Sequence, residues 1–403
     1  MRAKRDQYRS VAYGGMDVHY KFSSVTLRDA GGRVVVREKL DHRDRTALRA
    51  QVARWPHGTP LVLEASFGWG WLSDELAAAG LEPRLSNCYK VEQMRKARGQ
   101  VKTNEKDADL LSLLPAESAR WWEVWLAPPE VRDRRELLRY RMGLVALQTE
   151  TKNRIHAHFH RQGIFHEFAD LFGAAGRRFL MTLCATGRHA GGELPPGAGA
   201  ALDGQVRLLL GVRAELAQVA GTLRGQLEHD PVVQRLKTIP GFGLILSHVV
   251  AAEVGQLQRF RNHKALASYA GLAPQSRDTG EAEADRAPQG RHLAAHCQRT
   301  LKWAFIEAAH NAVRSGGRWR AWYDRVTAGG TRDRQRGYIK VARELVKVVF
   351  VVWRKNQSYL ETPAARPGSL PVSAAPPTRQ SSRSGTGQPF VAMVAADLGR
   401  QTS

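Results

Sequence analysis

The sequence predicts an α/β domain built on a mixed sheet, followed by regions that are mostly helical. Three observations carry this. Three β-rich runs in immediate succession open the chain; helix-like and strand-like segments then alternate to about residue 114; and helical periodicity dominates from about residue 130 onward.

The first runs are VAYGGMDV at 11–18, FSSVTLRD at 22–29 and, after a turn at Ala30, Gly31 and Gly32, RVVVREKL at 33–40. Two alternating runs joined by a glycine turn make a hairpin, so a meander opens the domain. Residues 43–54 have helical spacing in Leu48, Val52 and Trp55, and PLVLEAS at 60–66 reads as a buried strand. A helix at 69–79 closed by Gly80, a strand at 81–86 and helices at 90–98 and 104–114 continue the alternation. Two long helical stretches, 130–162 and about 201–229, flank the Gly/Pro-rich RHAGGELPPGAGA. They predict an antiparallel arm, either a dimerising coiled coil or a plain helical bundle. In the third region LKTIPGFGLILSHVVAAEVG reads as helix, tight turn, helix. GYIKVARELVKVVFVVWRKN is an amphipathic helix with Val and Leu inward and Lys340, Arg343 and Lys347 outward. The expected division is a basic extension at 1–10, the α/β domain at 11–128, the helical arm at 129–230, a C-terminal domain at 231–360 and a disordered Pro/Ser/Gly-rich tail at 361–403.

Lys and Arg number 61 against 38 Asp and Glu, a formal charge of +23. The cations recur along the whole chain rather than in one tail, which favours a nucleic-acid partner over a merely solvated surface. Three cysteines, Cys88, Cys184 and Cys297, lie far apart with no CxxC pair, which argues against a disulfide framework or structural zinc and fits a reducing cytoplasm. MRAKRDQYRS has no apolar run behind it and does not read as a signal peptide, and no apolar run reaches membrane-spanning length.

Asp17 closes the first strand, Glu64 closes the central apolar strand, and Asp107 opens a predicted helix in KTNEKDADLL. Each alone reads first as a cap or a solvated carboxylate. Together, at strand ends where α/β sheets present residues to a cleft, they could hold two divalent cations for phosphoryl transfer. The Pro-Gly-x-Gly turn holding Gly241 and Gly243 could bring backbone amides to a phosphate, in the manner of a helix-hairpin-helix; a steric role is as plausible for the glycines alone, and the basic neighbours tilt the reading to DNA backbone contact.

GMDVHYKFSSVTL, LVLEASFGWGWLSDELAAAGLEP, KTNEKDADLLSLL, LAPPEVRDRRELLRYRMGLVALQTETKNRIHAHFHRQG, IPGFG, YAGLAP and TLKWAFIEAAH resemble, in order and spacing over about 11–359, the transposases of insertion-sequence family one-ten/one-sixteen. The resemblance implies an RNase H-like, RuvC-like N-terminal domain of DEDD type, a coiled-coil middle and a mostly helical C-terminal transposase domain with a catalytic serine. It also implies Mg²⁺ or Mn²⁺, donor and target DNA, a structured guide RNA, homodimers pairing into tetramers, and a cytoplasmic, nucleoid-associated place in a bacterium. No membrane partner is expected.

By position, Asp17, Glu64 and Asp107 match the family's acidic residues, and Asn104 stands where the family has Asp. An amide oxygen can ligate magnesium but brings no charge. Asn104 shares a helix face with Asp107, whereas Asp109 points away. The family's serine falls in Pro274-Gln275-Ser276-Arg277-Asp278-Thr279-Gly280, so Thr279 takes the nucleophile position, with Ser276 the alternative. Lys102, Arg286, Arg291, Arg299 and Lys302 are the expected phosphate contacts, and Trp303, Phe305 and Ile306 the expected core. Two other readings share these features: an inactive nucleic-acid-binding relic of such an element, and a junction nuclease that lacks rejoining.

Overall fold

The computed structural model describes residues 8–99, 103–116, 123–227, 229–273, 297–329 and 333–359. The chain divides into two units, Met1–Arg132 and Asp133–Ser403. The basic extension before residue 8 and the tail after residue 359 lie outside the described residues.

The first unit is a six-stranded mixed sheet in the order β3-β2-β1-β4-β5-β6. Strands β1 (Val11–Val18), β2 (Phe22–Asp29) and β3 (Val34–Asp41) form the expected antiparallel meander. Its second turn is made possible by Gly32, whose φ of 84° suits a residue without Cβ. Beyond β1 the sheet turns parallel through β4 (Pro60–Glu64) and β5 (Glu82–Ser86), because helices now intervene. Those are α1 (Arg45–Val52), α2 (Trp69–Ala78), α3 (Cys88–Ala97) and α4 (Asn104–Leu113). Asp44 caps α1, its Oδ1 accepting from the Thr46 and Ala47 amides at 2.9 Å. The edge strand β6 (Glu123–Val124) is only two residues long and antiparallel to β5, too short to show alternation in sequence.

The strand alternation sorts this sheet into two buried faces. Met16, Leu27, Leu61 and Leu63 join Leu72 and Leu76 of α2 and Leu48 and Val52 of α1 in one core. Val62 faces the other way, onto Val91 of α3 and Leu110 and Leu111 of α4. Covering both faces explains why PLVLE reads as an uninterrupted apolar run.

The long helix α5 (Pro129–Gln162) carries the chain across the division. In the second unit Leu138 of α5 meets Val219 and Leu223 of α7 (Pro196–Leu227) in one core. Ile155 and Phe159 meet Leu202, Val206 and Leu209 in another, so α5 and α7 run antiparallel. Between them lie α6 (Ala174–Thr186) and a small hairpin of β7 (Arg188–His189) and β8 (Gly192–Glu193). Helix α7 begins at Pro196, five residues before the expected start and inside the Gly/Pro-rich stretch. Proline suits a helix's first turn, where its missing N–H costs nothing.

The rest of the unit is α8 (Pro231–Lys237), α9 (Leu244–Val254), α10 (His263–Tyr269), α11 (Arg299–Arg314), α12 (Gly317–Thr327) and α13 (Arg334–Lys355). Helix α9 is buried almost throughout, and Phe305, Ala308 and Ala312 of α11 and Leu345, Val346 and Val349 of α13 complete its core. Trp303 and Ile306 pack at its margin. No helix among the described residues is long and apolar enough to cross a membrane.

Candidate active site

Strands β1 and β4 are parallel, with Met16 opposite Leu63. Asp17 and Glu64 are the next residue of each strand and therefore stand level, one strand spacing or about 4.8 Å apart. Both share parity with residues on the α3/α4 face: Asp17 with Gly15, Glu64 with Val62. Two acidic residues thus follow the last paired position at the carboxyl ends of neighbouring parallel strands, on the face that the same helices cover.

Helix α4 seats itself on this face through Gly15. A Cβ there would lie 2.1 Å from the Ser112 amide nitrogen, 2.5 Å from the Leu111 carbonyl carbon and 2.7 Å from the Ala108 oxygen. Farther back, Ser112 Oγ accepts from Arg28 Nε at 2.7 Å, and Arg28 pairs across from Tyr13 near the start of β1. The helix therefore runs antiparallel to β1, and its first turn, with Asp107, comes to the end of the strand that carries Asp17. Asp109 is held elsewhere: it accepts from Thr26 Oγ1 at 2.7 Å and from Arg37 at 2.8 and 3.1 Å. Burial opposes ionisation of Asp109, but the Arg37 and Thr26 hydrogen bonds outweigh it and hold the carboxyl below its usual range.

Three neighbours of the acidic residues are not legible from spacing. His19 Nε2 lies 3.0 Å from Asp17 Oδ2, close enough for an ion pair but without hydrogen-bond alignment. Arg95 of α3, paired with Glu92, also feels the charges of Asp107 and Glu64. The Cys88 thiol is pushed up to about 11, first by burial and then by the charge of Glu64. Exposed aromatics follow the strand ends: Tyr20 and Phe67, in the loops after β1 and β4, are 82% and 79% exposed, and Tyr89, in the first turn of α3, is 45% exposed. In the sequence Tyr20 and Phe67 are visible only as loop aromatics three residues after Asp17 and Glu64.

Among the described residues, no group of three or more His, Cys, Asp or Glu side chains stands at metal-holding distances. The all-oxygen character of Asp17, Glu64 and Asp107 nevertheless suits a hard divalent cation. The side chain of Asn104, the fourth expected ligand, lies outside the described residues, as do Lys102, Ser276, Thr279, Arg286 and Arg291.

In the second unit Gly241 has φ 92°, and a Cβ on it would meet the Ala308 oxygen at 2.2 Å, so close packing on α11 requires glycine there. Gly243 is exposed at the head of α9, with open space around it. Arg299 begins α11, and the stem of Lys302 runs beside Gly271, Cδ lying 3.6 Å from where a Cβ would be. Sequence reasoning missed the buried Glu253. It accepts from Arg139 at 3.0 to 3.2 Å and from Gln298 at 2.6 Å, with Arg135 Nε 3.4 Å away.

A mixed sheet with acidic residues at the ends of its central parallel strands, followed by a helical unit, fits a DEDD-type transposase. Comparison with known proteins agrees. Residues 14–163 match the DEDD transposase model of the IS110 type, and residues 233–324 match that of the Transposase IS116/IS110/IS902 family; together they cover more than half of the chain. The chain belongs to the IS110/IS116 family of transposases. It is 29% identical over 152 residues to the insertion element IS110 uncharacterized 43.6 kDa protein of Streptomyces coelicolor, covering 38% of this chain and 36% of that one. To the insertion element IS116 uncharacterized 44.8 kDa protein of Streptomyces clavuligerus it is 28% identical over 141 residues, 35% of this chain and 34% of that one. A protein of Pseudomonas aeruginosa named "Probable family 20 transposase" is 28% identical over 143 residues, 35% of this chain and 40% of its own. The matched stretch spans only about a third of the length of the first two relatives.

Proposed function

We propose that this chain cuts and rejoins DNA during movement of an insertion element, with an acidic centre at Asp17, Glu64 and Asp107. The observation that carries this reading is the level placement of Asp17 and Glu64 on adjacent parallel strands, with α4 directed so that Asp107 reaches the same end. Carboxylate oxygens of these residues, with the amide oxygen of Asn104, are the donors for Mg²⁺ or Mn²⁺, which would supply charge stabilisation to phosphoryl transfer when bound.

The chain's own groups do the rest. His19 lies 3.0 Å from one Asp17 oxygen, and Arg95 supplies positive charge beside Glu64 and Asp107, where a phosphate's negative charge would otherwise be repelled. Tyr20 and Phe67 offer exposed rings on which bases can stack. In the second unit Thr279, or Ser276 in its place, supplies a hydroxyl. Its oxygen bonds to phosphorus, the bond from phosphorus to the leaving sugar oxygen breaks, and the proton lost from the hydroxyl is balanced by one gained at the leaving oxygen. The resulting ester keeps the energy of the broken linkage for rejoining. A structured guide RNA and the pairing of homodimers into tetramers belong to this reading through the family resemblance, as does a nucleoid-associated place in the bacterial cytoplasm.

Incubation with supercoiled donor and target DNA, Mg²⁺ and RNA transcribed from the element's flank tests it. Recombinant junctions that disappear in Asp17→Asn and Glu64→Gln variants are expected, with losses of about 10²-fold or more. Nicked or linear products alone would mark a junction nuclease, and band shifts without products a binding protein. A Thr279→Ala variant that recombines at full rate would move the nucleophile to Ser276.

A further inference from the structure

A second site lies in the helical unit, lined by residues that the proposed reaction does not use. Helices α10 and α13 and Trp322 of α12 enclose a groove of about 470 Å³ lined by His263, Lys264, Lys340, Arg343 and Lys347, with Ala267, Ala273 and Glu344. Its cations come from a regular source. Helix α13 buries Val341, Ala342, Leu345, Val346 and Val349, which leaves Lys340, Arg343 and Lys347 as an exposed stripe at i, i+3 and i+7. Lys264 faces them from the opposite wall.

The groove is not neutralised from within. Glu344 is its one carboxylate and lies 3.3 Å from Lys347 Nζ. Lys264, Lys340 and Arg343 make no ion pair among the described residues. Like charges gathered in a concave, partly apolar surface concentrate the field and raise one another's energy, and a polyanion relieves this. Lys340 to Lys347 spans about 10.5 Å of helix, roughly three nucleotides of a strand at 3.4 Å each. With only two alanines and one indole, the lining offers too little apolar area for a membrane or a peptide anchor.

The groove also has a defined place in the chain. Ala273, which lines it, lies two residues after Gly271, against which Cys297 packs. We propose that this groove binds the phosphodiester backbone of a DNA strand. That the polyanion is DNA rests on the function proposed above; the basic groove itself does not.

The test is fluorescence anisotropy of labelled duplex DNA on the full chain, between about 0.05 and 0.2 M salt. The triple variant K264Q/K340Q/R343Q is compared with R177Q/R178Q/R188Q, which removes the same charge from exposed positions elsewhere in the unit. The groove triple is expected to lower the slope of log affinity against log salt by about 3 and to bind more than about ten-fold more weakly, with the control triple near wild type. Single K340Q should lower the slope by about 1, which keeps the test decisive if the triple misfolds. Equal effects from the two triples, or weakened binding to an RNA hairpin with DNA binding unchanged, would overturn the proposal. Because anisotropy needs no turnover, loss of groove binding in a chain that never cleaves would separate failure of the catalytic reading from failure of this one.

Discussion

Gln298 donates a 2.6 Å hydrogen bond to Glu253, a carboxylate 2% exposed at the end of α9. Gln298 also caps α11 through the Thr300 amide, and its own amide donates to the Tyr269 carbonyl. One buried acid thus ties the start of α11 to α9 and, through Arg135 and Arg139, to α5.

Removing that acid leaves the largely buried Arg135 guanidinium without its counter-charge. Glu253→Ala is expected to cost about 3 to 5 kcal/mol of stability, the cost of breaking a buried pair from one side. Urea unfolding followed by tryptophan fluorescence measures it, and Arg139→Ala, whose guanidinium is about half exposed, should cost less.

Gly15 is where α4 touches the sheet. A methyl group there has no room between Ser112 and Leu111, and both obstacles are backbone. Gly15→Ala should destabilise the first unit by about 1 to 3 kcal/mol and displace the turn carrying Asp107, so strand cleavage falls even where the chain stays folded. Denaturation and cleavage assays on the same preparation read both effects. Gly143, with open space around it, serves as a control position for stability.

Cys88 reports on Glu64. With its thiol pushed up to about 11, only about one molecule in a thousand is thiolate at pH 8, so alkylation is slow. Glu64→Gln removes one of the two causes and should lower the thiol's pKa and speed alkylation, whereas a distant carboxylate variant such as Asp203→Asn leaves the rate alone. Mass spectrometry of the Cys88 peptide over time gives the rates.

His42 makes the first unit sensitive to acid. Burial holds its pKa below the ordinary 6.5 despite the nearby Asp41 charge, Arg45 adds to the depression, and Ser23 Oγ lies 2.8 Å from its Nε2. The neutral ring is the form the fold favours. Its contribution is fully present above pH 6.5 and is lost as pH falls from there through the lower folded-state value. Stability measured between about pH 7.5 and 5 should decline, and His42→Asn should flatten that part of the profile.

Much of the first unit was legible because its strands and helices bury one periodic face each: VAYGGMDV, FSSVTLRD and PLVLE are strands within a residue or two of the expected bounds. Segments where periodicity is weak were not. Helix α6 and the β7–β8 hairpin lie between the two long helices, and Pro196 opens α7 inside a stretch whose glycines and prolines read as a break. Gly241 illustrates a different limit, since a tight turn and a close approach to α11 demand the same residue and sequence does not distinguish them.

By itself the sequence determined the order of the first five strands and the helices between them, and the excess of positive charge, and it offered the three acidic positions as candidates, because these depend on residue type and local spacing. Only the tertiary structure decided that Asp17 and Glu64 stand level, that Asp109 is consumed by Arg37, that Arg95 and His19 attend the acidic end, and that Lys264 faces the stripe on α13. The physical reason is that register, helix direction and charge pairing are set by contacts between segments tens of residues apart, which no local pattern encodes.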